Sequence, residues 1–143
     1  DGKEVMRSDQ QMILLASLQA KTFMDLYTSV ADSQRENLFR FYRKNSVLIW
    51  NGTSLNGAEI IFNALKKLPR TRHKIESLDA QPIITSLEKK HTSLLISSSG
   101  KVKFGNQNPV KFYQSFVLER NPDKNDESLF YVLSHTFRYQ DTS

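Results

Sequence analysis

The side chains able to do acid–base, nucleophilic or metal chemistry are thinly spread along this chain. His73, His91 and His135 lie far apart, with no carboxylate at ligand spacing and no cysteine anywhere, so they are not expected to form a metal site. Ser97-Ser98-Ser99-Gly100 lacks both a lysine at phosphate-loop spacing and a helix to open, so it does not read as a phosphate cradle. Asp79, Tyr27, Tyr42 and His135 are of types that can move protons, yet their spacing matches no catalytic pattern. Asn51-Gly52-Thr53 fits a glycosylation triplet, a reading set aside because nothing marks the chain as secreted. No catalytic, metal or cofactor-binding residues are assigned.

The elements that would have to position such groups are easier to read. At 143 residues the chain is expected to be one domain, 1–143, able to bury roughly two-thirds of its unfolded surface without staples. It has no apolar run long enough for a membrane span, and its first residues, DGKEVMRSDQ, lack a signal-peptide core. The expectation is a soluble, intracellular protein with no membrane insertion. Lys and Arg total 20 against 15 acids, a net charge of +5, with short clusters at Lys66-Lys67, Arg70–Lys74, Lys89-Lys90 and Lys101/Lys103. These read as solvated surface, since no stacking motif interleaves aromatics with them.

Asp9–Val30 reads as a long helix, with Met12, Ala16, Ala20, Phe23, Tyr27 and Val30 on one stripe and Ser8 or Asp9 as its cap. Ser33 and Glu36 form a capping-box pattern that predicts a short second helix carrying Leu38, Phe39 and Tyr42. Ser46–Trp50 is a buried strand closed by the tight-turn dipeptide Asn51-Gly52. Asn56 is expected to cap a third helix whose Ile60, Ile61, Ala64, Leu65 and Leu68 form an apolar face, ended by Pro69. From Arg72 the period becomes two, predicting strands near Arg72–Leu87, Thr92–Phe104, Val110–Arg120 and Leu129–Tyr139 joined by polar turns. Helices followed by long strands give an α+β fold.

Two of these strands are apolar or small on both faces. Phe112, Gln114, Phe116 and Leu118 alternate with Tyr113, Ser115, Val117 and Glu119; Leu129, Tyr131, Leu133, Phe137 and Tyr139 alternate with Phe130, Val132, Ser134, Thr136 and Arg138. A helix layer covers one face, so a second polypeptide is expected on the other. Ser93, Leu95, Ser97 and Ser99 also share a face, and small hydroxyl residues allow a second sheet to approach.

Leu48-Ile49-Trp50-Asn51-Gly52, Gly57, Leu68-Pro69, Asp79-Ala80-Gln81-Pro82, Phe112-x-Gln114-x-Phe116-x-Leu118 and Phe137-Arg138 occur in that order, and the chain so resembles the nuclear transport factor 2-like superfamily along nearly its whole length. Val102-Lys103-Phe104 after Gly100 and the ending Phe137-Arg138-Tyr139-Gln140-Asp141 are similar to the NTF2-related export branch, whose members pair with a TAP-type messenger RNA export receptor. The resemblance implies a cone-shaped fold, three helices packed on a strongly bent antiparallel sheet whose convex face makes dimers. It implies a non-catalytic subunit of a heterodimeric export receptor, at the nucleus and nuclear pore and shuttling to the cytoplasm, with no cofactor. FG nucleoporins would be met through the complex, and Lys101, Lys103 and Lys111 would add weak RNA contact. The family's dimer face carries over to Ala80, Ser97, Tyr113, Ser115, Val117, Thr136 and Arg138, with Arg138 meeting a partner carboxylate.

Two other activities occur in the superfamily. Its homodimeric carriers of Ran-GDP use acidic residues, whereas Asn51, Gly105 and Gln107 stand at those positions here, and amides cannot replace charge-assisted pairs. Its isomerase-type enzymes hold an acid with a histidine or tyrosine inside the cone, which would be Asp79, Tyr27, Tyr42 and His135 here; a packed aromatic core is the expected alternative.

Overall fold

The computed structural model describes residues 2–84, 92–122 and 130–140, with side chains described over 10–83, 93–122 and 130–140. The turns at Glu88-Lys89-Lys90 and after Asn121, and with them His91, lie outside what is described, whereas Ser8 and Asp9 do not cap the first helix, which already runs from Gly2 and has both inside it. The chain runs α1 (Gly2–Ser33), a 3-10 turn (Arg35–Phe41), β1 (Tyr42–Trp50), β2 (Thr53–Asn56), α2 (Ala58–Leu65), then β3 (Thr71–Ile84), β4 (Thr92–Phe104), β5 (Val110–Arg120) and β6 (Phe130–Tyr139). One six-stranded sheet has the order β2-β1-β6-β5-β4-β3. All pairs are antiparallel except β1 with β6, which is parallel.

The helical stripe behaves as the spacing dictates. Ala16, Ala20, Phe23, Tyr27 and Val30 of α1 are buried, and with Leu38, Phe41, Ile61 and Leu65 they pack on Leu94, Ile96, Phe116 and Leu118 of the sheet. A second cluster, Val102, Phe104, Phe112 and Phe137 with Trp50 against it, closes the other end. The last turn of α1 is tied to β3 by Asp32, whose carboxylate accepts bonds from the His73 amide (2.9 Å), the His73 ring (2.7 Å) and the Thr71 hydroxyl (2.9 Å). Arg35 donates to the carbonyls of Leu68 and Pro69 and so fixes the exit of α2.

Several local expectations change. The segment after α1 is a 3-10 turn with Gln34 at its N-cap and no side-chain cap bond, so the Ser33/Glu36 capping box does not form. Tyr42, expected on that helix, opens β1. Asn56 belongs to β2, and Gly57, with φ 90° and no side-chain cap bond, is the N-cap of α2. β2 itself went unread because Thr53–Asn56 is short and mostly exposed. The Asn51-Gly52 turn has φ of 45° and 87°, the positive pair that joins hairpin strands of right-handed twist.

Two extra residues decide which way side chains point. In β3 the pairing to β4 slips between Ile75 and Ser77, leaving Glu76 as a bulge. Gly100 sits against this bulge, where any Cβ would fall 1.9 Å from the Lys74 carbonyl oxygen. In β6 the pairing to β5 slips between Ser134 and Val132, so Leu133 is extra. Phe130 and Val132 therefore turn inward with His135 and Phe137, all buried. Strict alternation had put Phe130 and Val132 on the outer face, which is accordingly less apolar than the sequence suggested.

Candidate partner interface

With the bulges fixed, cross-strand registers order the outer face into rows. One row reads Asp79, Ser97, Ser115, Thr136, Ile49, Ser54 across β3, β4, β5, β6, β1 and β2. The next reads Gln81, Leu95, Val117, Ser134, Val47. On the other side lie Ser77, Ser99, Tyr113 and Arg138. Leu95, Ser97, Ser115, Val117, Ser134, Thr136, Val47 and Ile49 are all half-buried even without a partner. Short hydroxyl and aliphatic side chains make a low, even surface, which lets another sheet approach to about 10 Å.

Six of the seven residues expected at the interface share this face. Ser97, Ser115 and Thr136 are direct cross-strand neighbours, Tyr113 is opposite Arg138, and Val117 lies in the adjoining row. Tyr113 is exposed to 49% of its surface. A shallow depression of about 400 Å³ opens beside it, walled by Arg138, Tyr139 and Gln140, a seat wide enough for a partner side chain next to the exposed guanidinium.

Ala80 does not belong there. It pairs with Ile96, which is fully buried, and packs against the core. Counted by strict alternation from Arg72, an even-numbered residue points outward; the bulge at Glu76 reverses this, so Asp79 and Gln81 face out instead. The same reversal removes Asp79 from the interior, where the isomerase comparison needed it. Leu95, Val47 and Ile49, absent from the expected set, share the face. The alternation that collected Ser93, Leu95, Ser97 and Ser99 already pointed to Leu95.

The inner face carries a buried polar chain. His135 Nε2 lies 2.9 Å from Gln114 Oε1, its Nδ1 3.1 Å from the Tyr42 hydroxyl, and that hydroxyl 2.6 Å from the Tyr27 hydroxyl. Burial, reinforced by the His73 charge, lowers the His135 pKa to about 3, so the ring is neutral. Gln114 Oε1 can only accept, hence Nε2–H donates to it, Tyr42 donates to Nδ1, and Tyr27 donates to Tyr42. Burial holds both tyrosines above their ordinary range. Asp32 lies below its usual range: burial pushes it up, but the bonds from His73 and Thr71 outweigh that.

Phe116 stacks on the His135 ring at 3.9 Å, and Tyr27 meets both edge-on. The space left at the cone's centre, bordered by Tyr27, His73, Phe104, Gln114, His135 and Phe137, is about 30 Å³. That admits a water or two but no organic substrate. Among the described residues no group of three His, Asp or Glu could hold a metal. Asn51 is engaged in the fold: its amide donates to the Phe137 carbonyl at 2.9 Å, and its side-chain oxygen accepts from the Tyr139 amide at 3.0 Å.

Residues 19–139 match the family described as nuclear transport factor 2 (NTF2) domain. NTF2-related export protein 2 of Homo sapiens is 32% identical over 124 residues, 87% of this chain and 87% of that protein. The NTF2-related export protein of Caenorhabditis elegans is 31% identical over 140 residues, 97% of this chain and 96% of that one. Among solved structures, nuclear transport factor 2 from Cryptosporidium parvum superposes with a TM-score of 0.72 at 26% identity, covering 86% of this chain and 93% of its own.

Proposed function

Because the chain belongs to the nuclear transport factor 2 (NTF2) domain family, we propose that it is the non-catalytic subunit of a heterodimeric messenger RNA export receptor. Its outer sheet face docks on the related domain of a TAP-type receptor and stabilises it. The composite then meets FG nucleoporins, mainly through the receptor, and moves between nucleus and cytoplasm through the pore. The observation that carries this reading is the pair of rows centred on Ser97, Ser115, Thr136 and on Leu95, Val117, Ser134: short and half-buried on four adjoining strands, β4, β5, β6 and β1. The names of the export-protein relatives support the pathway. A closed interior of about 30 Å³ supports a binding role over an isomerase one.

The carrier alternative lacks its chemistry here. The β4–β5 turn, Gly105-Asn106-Gln107-Asn108-Pro109, has no carboxylate, and Asn51 is committed to Tyr139 and Phe137. Lys101, Lys103 and Lys111 lie exposed at the margin of the proposed dock, so RNA and a protein partner would compete for them.

The test is to mix the purified chain with the receptor's NTF2-like domain. A one-to-one complex is expected, weakened by Arg138→Glu by about 2–5 kcal/mol, the scale for a charge pair broken at an interface. An unchanged affinity removes Arg138 from the dock, and absence of any complex removes the proposal. Retention of Ran-GDP by the chain would favour the carrier instead.

A further inference from the structure

At one end of the outer face the rows change from hydroxyl to cationic. Lys74 stands directly opposite Lys101, and Lys101 directly opposite Lys111. One row further out, Arg72 stands opposite Lys103, and Arg138 in the adjoining inner row brings the patch onto β6. All six are exposed. Adjacent strands are only about 5 Å apart, and like charges directly opposed destabilise a sheet. The ion pairs Lys21–Asp25 and Asp32–His73 involve none of these cations. A ladder of one sign, built against the sheet's own stability and exposed, needs an anionic surface to offset it.

The chain does not supply that surface to a second copy of itself. Among the described residues the outer face offers three carboxylates: Glu76 at the bulge, Asp79, and Glu119, whose Oε1 accepts from the Ser93 hydroxyl at 2.6 Å. Two copies related by a twofold axis would bring six cations per chain against three acids. Nor do the two outer rows offer a nucleic acid strand more than the weak contact proposed above. Arg72, Lys103, Lys74, Lys101 and Lys111 have no aromatic ring among them, and the exposed Tyr113 stands only at the inner edge, opposite Arg138, whereas single strands are held by rings alternating with cations.

Resting on the heterodimer reading above, the geometry points to a partner whose docking face carries a cluster of carboxylates opposite Lys74, Lys101 and Lys111. This ladder steers the partner into register and rejects other copies of the chain. Complementary charge at an interface margin acts chiefly on encounter rate and on wrong partners, so the signature is kinetic.

The experiment measures association and dissociation of the chain with the receptor's NTF2-like domain over ionic strengths from about 0.01 to 1 M, where screening goes from weak to nearly complete. For the native chain the association rate falls steeply with salt. Lys74→Gln/Lys101→Gln/Lys111→Gln, which removes repulsion and so keeps the fold, flattens that dependence and slows low-salt association by on the order of tenfold or more, with little change in dissociation. Lys74→Glu/Lys101→Glu/Lys111→Glu reverses the sign of the salt dependence. If the complex forms but all three chains share one salt dependence, the steering inference is overturned and the heterodimer reading stands; if the native chain forms no complex, both fall. Should the variants associate normally and instead lose retention of a single-stranded RNA oligomer, the ladder is a nucleic-acid surface and the inference is wrong.

Discussion

Phe112, Gln114, Phe116 and Leu118 look inward from β5, and Tyr113, Ser115, Val117 and Glu119 look outward from the same backbone. The inner set is exposed to no more than 3%; the outer set is exposed or half-buried. Inside, the polar groups Tyr27, Tyr42, His135 and Gln114 satisfy one another in a chain of fixed direction, wrapped by aromatic rings. Outside, the hydroxyls are short, the aliphatics flat, and the charges of one sign cluster at one end. One face closes within the chain, with only the Ser98 hydroxyl among its described buried side chains lacking a hydrogen-bond partner, and the other is the face proposed to be completed from outside. A substitution should therefore be felt in stability on the first face and in association on the second.

The largest break in that contrast is expected at Phe116, fully buried against Phe23, Tyr27 and His135. Phe116→Ala should cost about 3–5 kcal/mol in denaturant unfolding. Its outward neighbour supplies the contrast: Val117→Ala should cost under about 1 kcal/mol yet weaken the receptor complex. Gly100→Ala forces a Cβ into the Lys74 carbonyl and should destabilise by about 1–3 kcal/mol or more, because the bulge that turns Asp79 outward would have to move. A loss below a few tenths would mean that the bulge is not held as described.

Acid sharpens the same contrast. His135 binds its proton at about 3 in the fold against an ordinary value near 6.5, so the unfolded chain holds more protons between those values and stability falls as pH drops through that window. The slope reaches up to ~1.4 kcal/mol per pH unit. Asp32, lowered by its bonds to His73 and Thr71, adds loss in the same direction once the pH passes below the usual carboxylate range. Urea midpoints across that window should fall steeply in the native chain and less in His135→Gln; parallel slopes would contradict a buried neutral ring. Tyr42→Phe deletes one link of the chain and should cost about 1–3 kcal/mol. Smallest of all, Asp79→Ala on the outer face should change stability by under about 0.5 kcal/mol, whereas an interior acid would not be so tolerant.

Much of this was legible from periodicity alone. The α1 stripe, the outward run Ser93, Leu95, Ser97, Ser99 and the split of β5 into two faces need only the periods of helix and strand. What alternation could not reveal is where it stops. Glu76 and Leu133 each add one residue, and nothing in their chemistry announces a bulge; Gly100 opposite Ile75 is a clue only once the register is known. Phe130 and Val132 were assigned to the wrong face for that one reason, and Ala80, carried over from the family's dimer face, lies inward because of the bulge at Glu76. The lysine ladder was hidden differently, since Lys74, Lys101 and Lys111 are unremarkable surface residues until pairing brings three strands side by side.

Hydroxyl-radical footprinting of the chain, free and with the receptor's NTF2-like domain, reads both faces at once. Protection is expected at Leu95, Tyr113 and Val117 on the outer face, with Phe39 and Ile60 on the helix side still reactive. Unchanged reactivity of Leu95, Tyr113 and Val117, or protection confined to the helix side, would contradict the account.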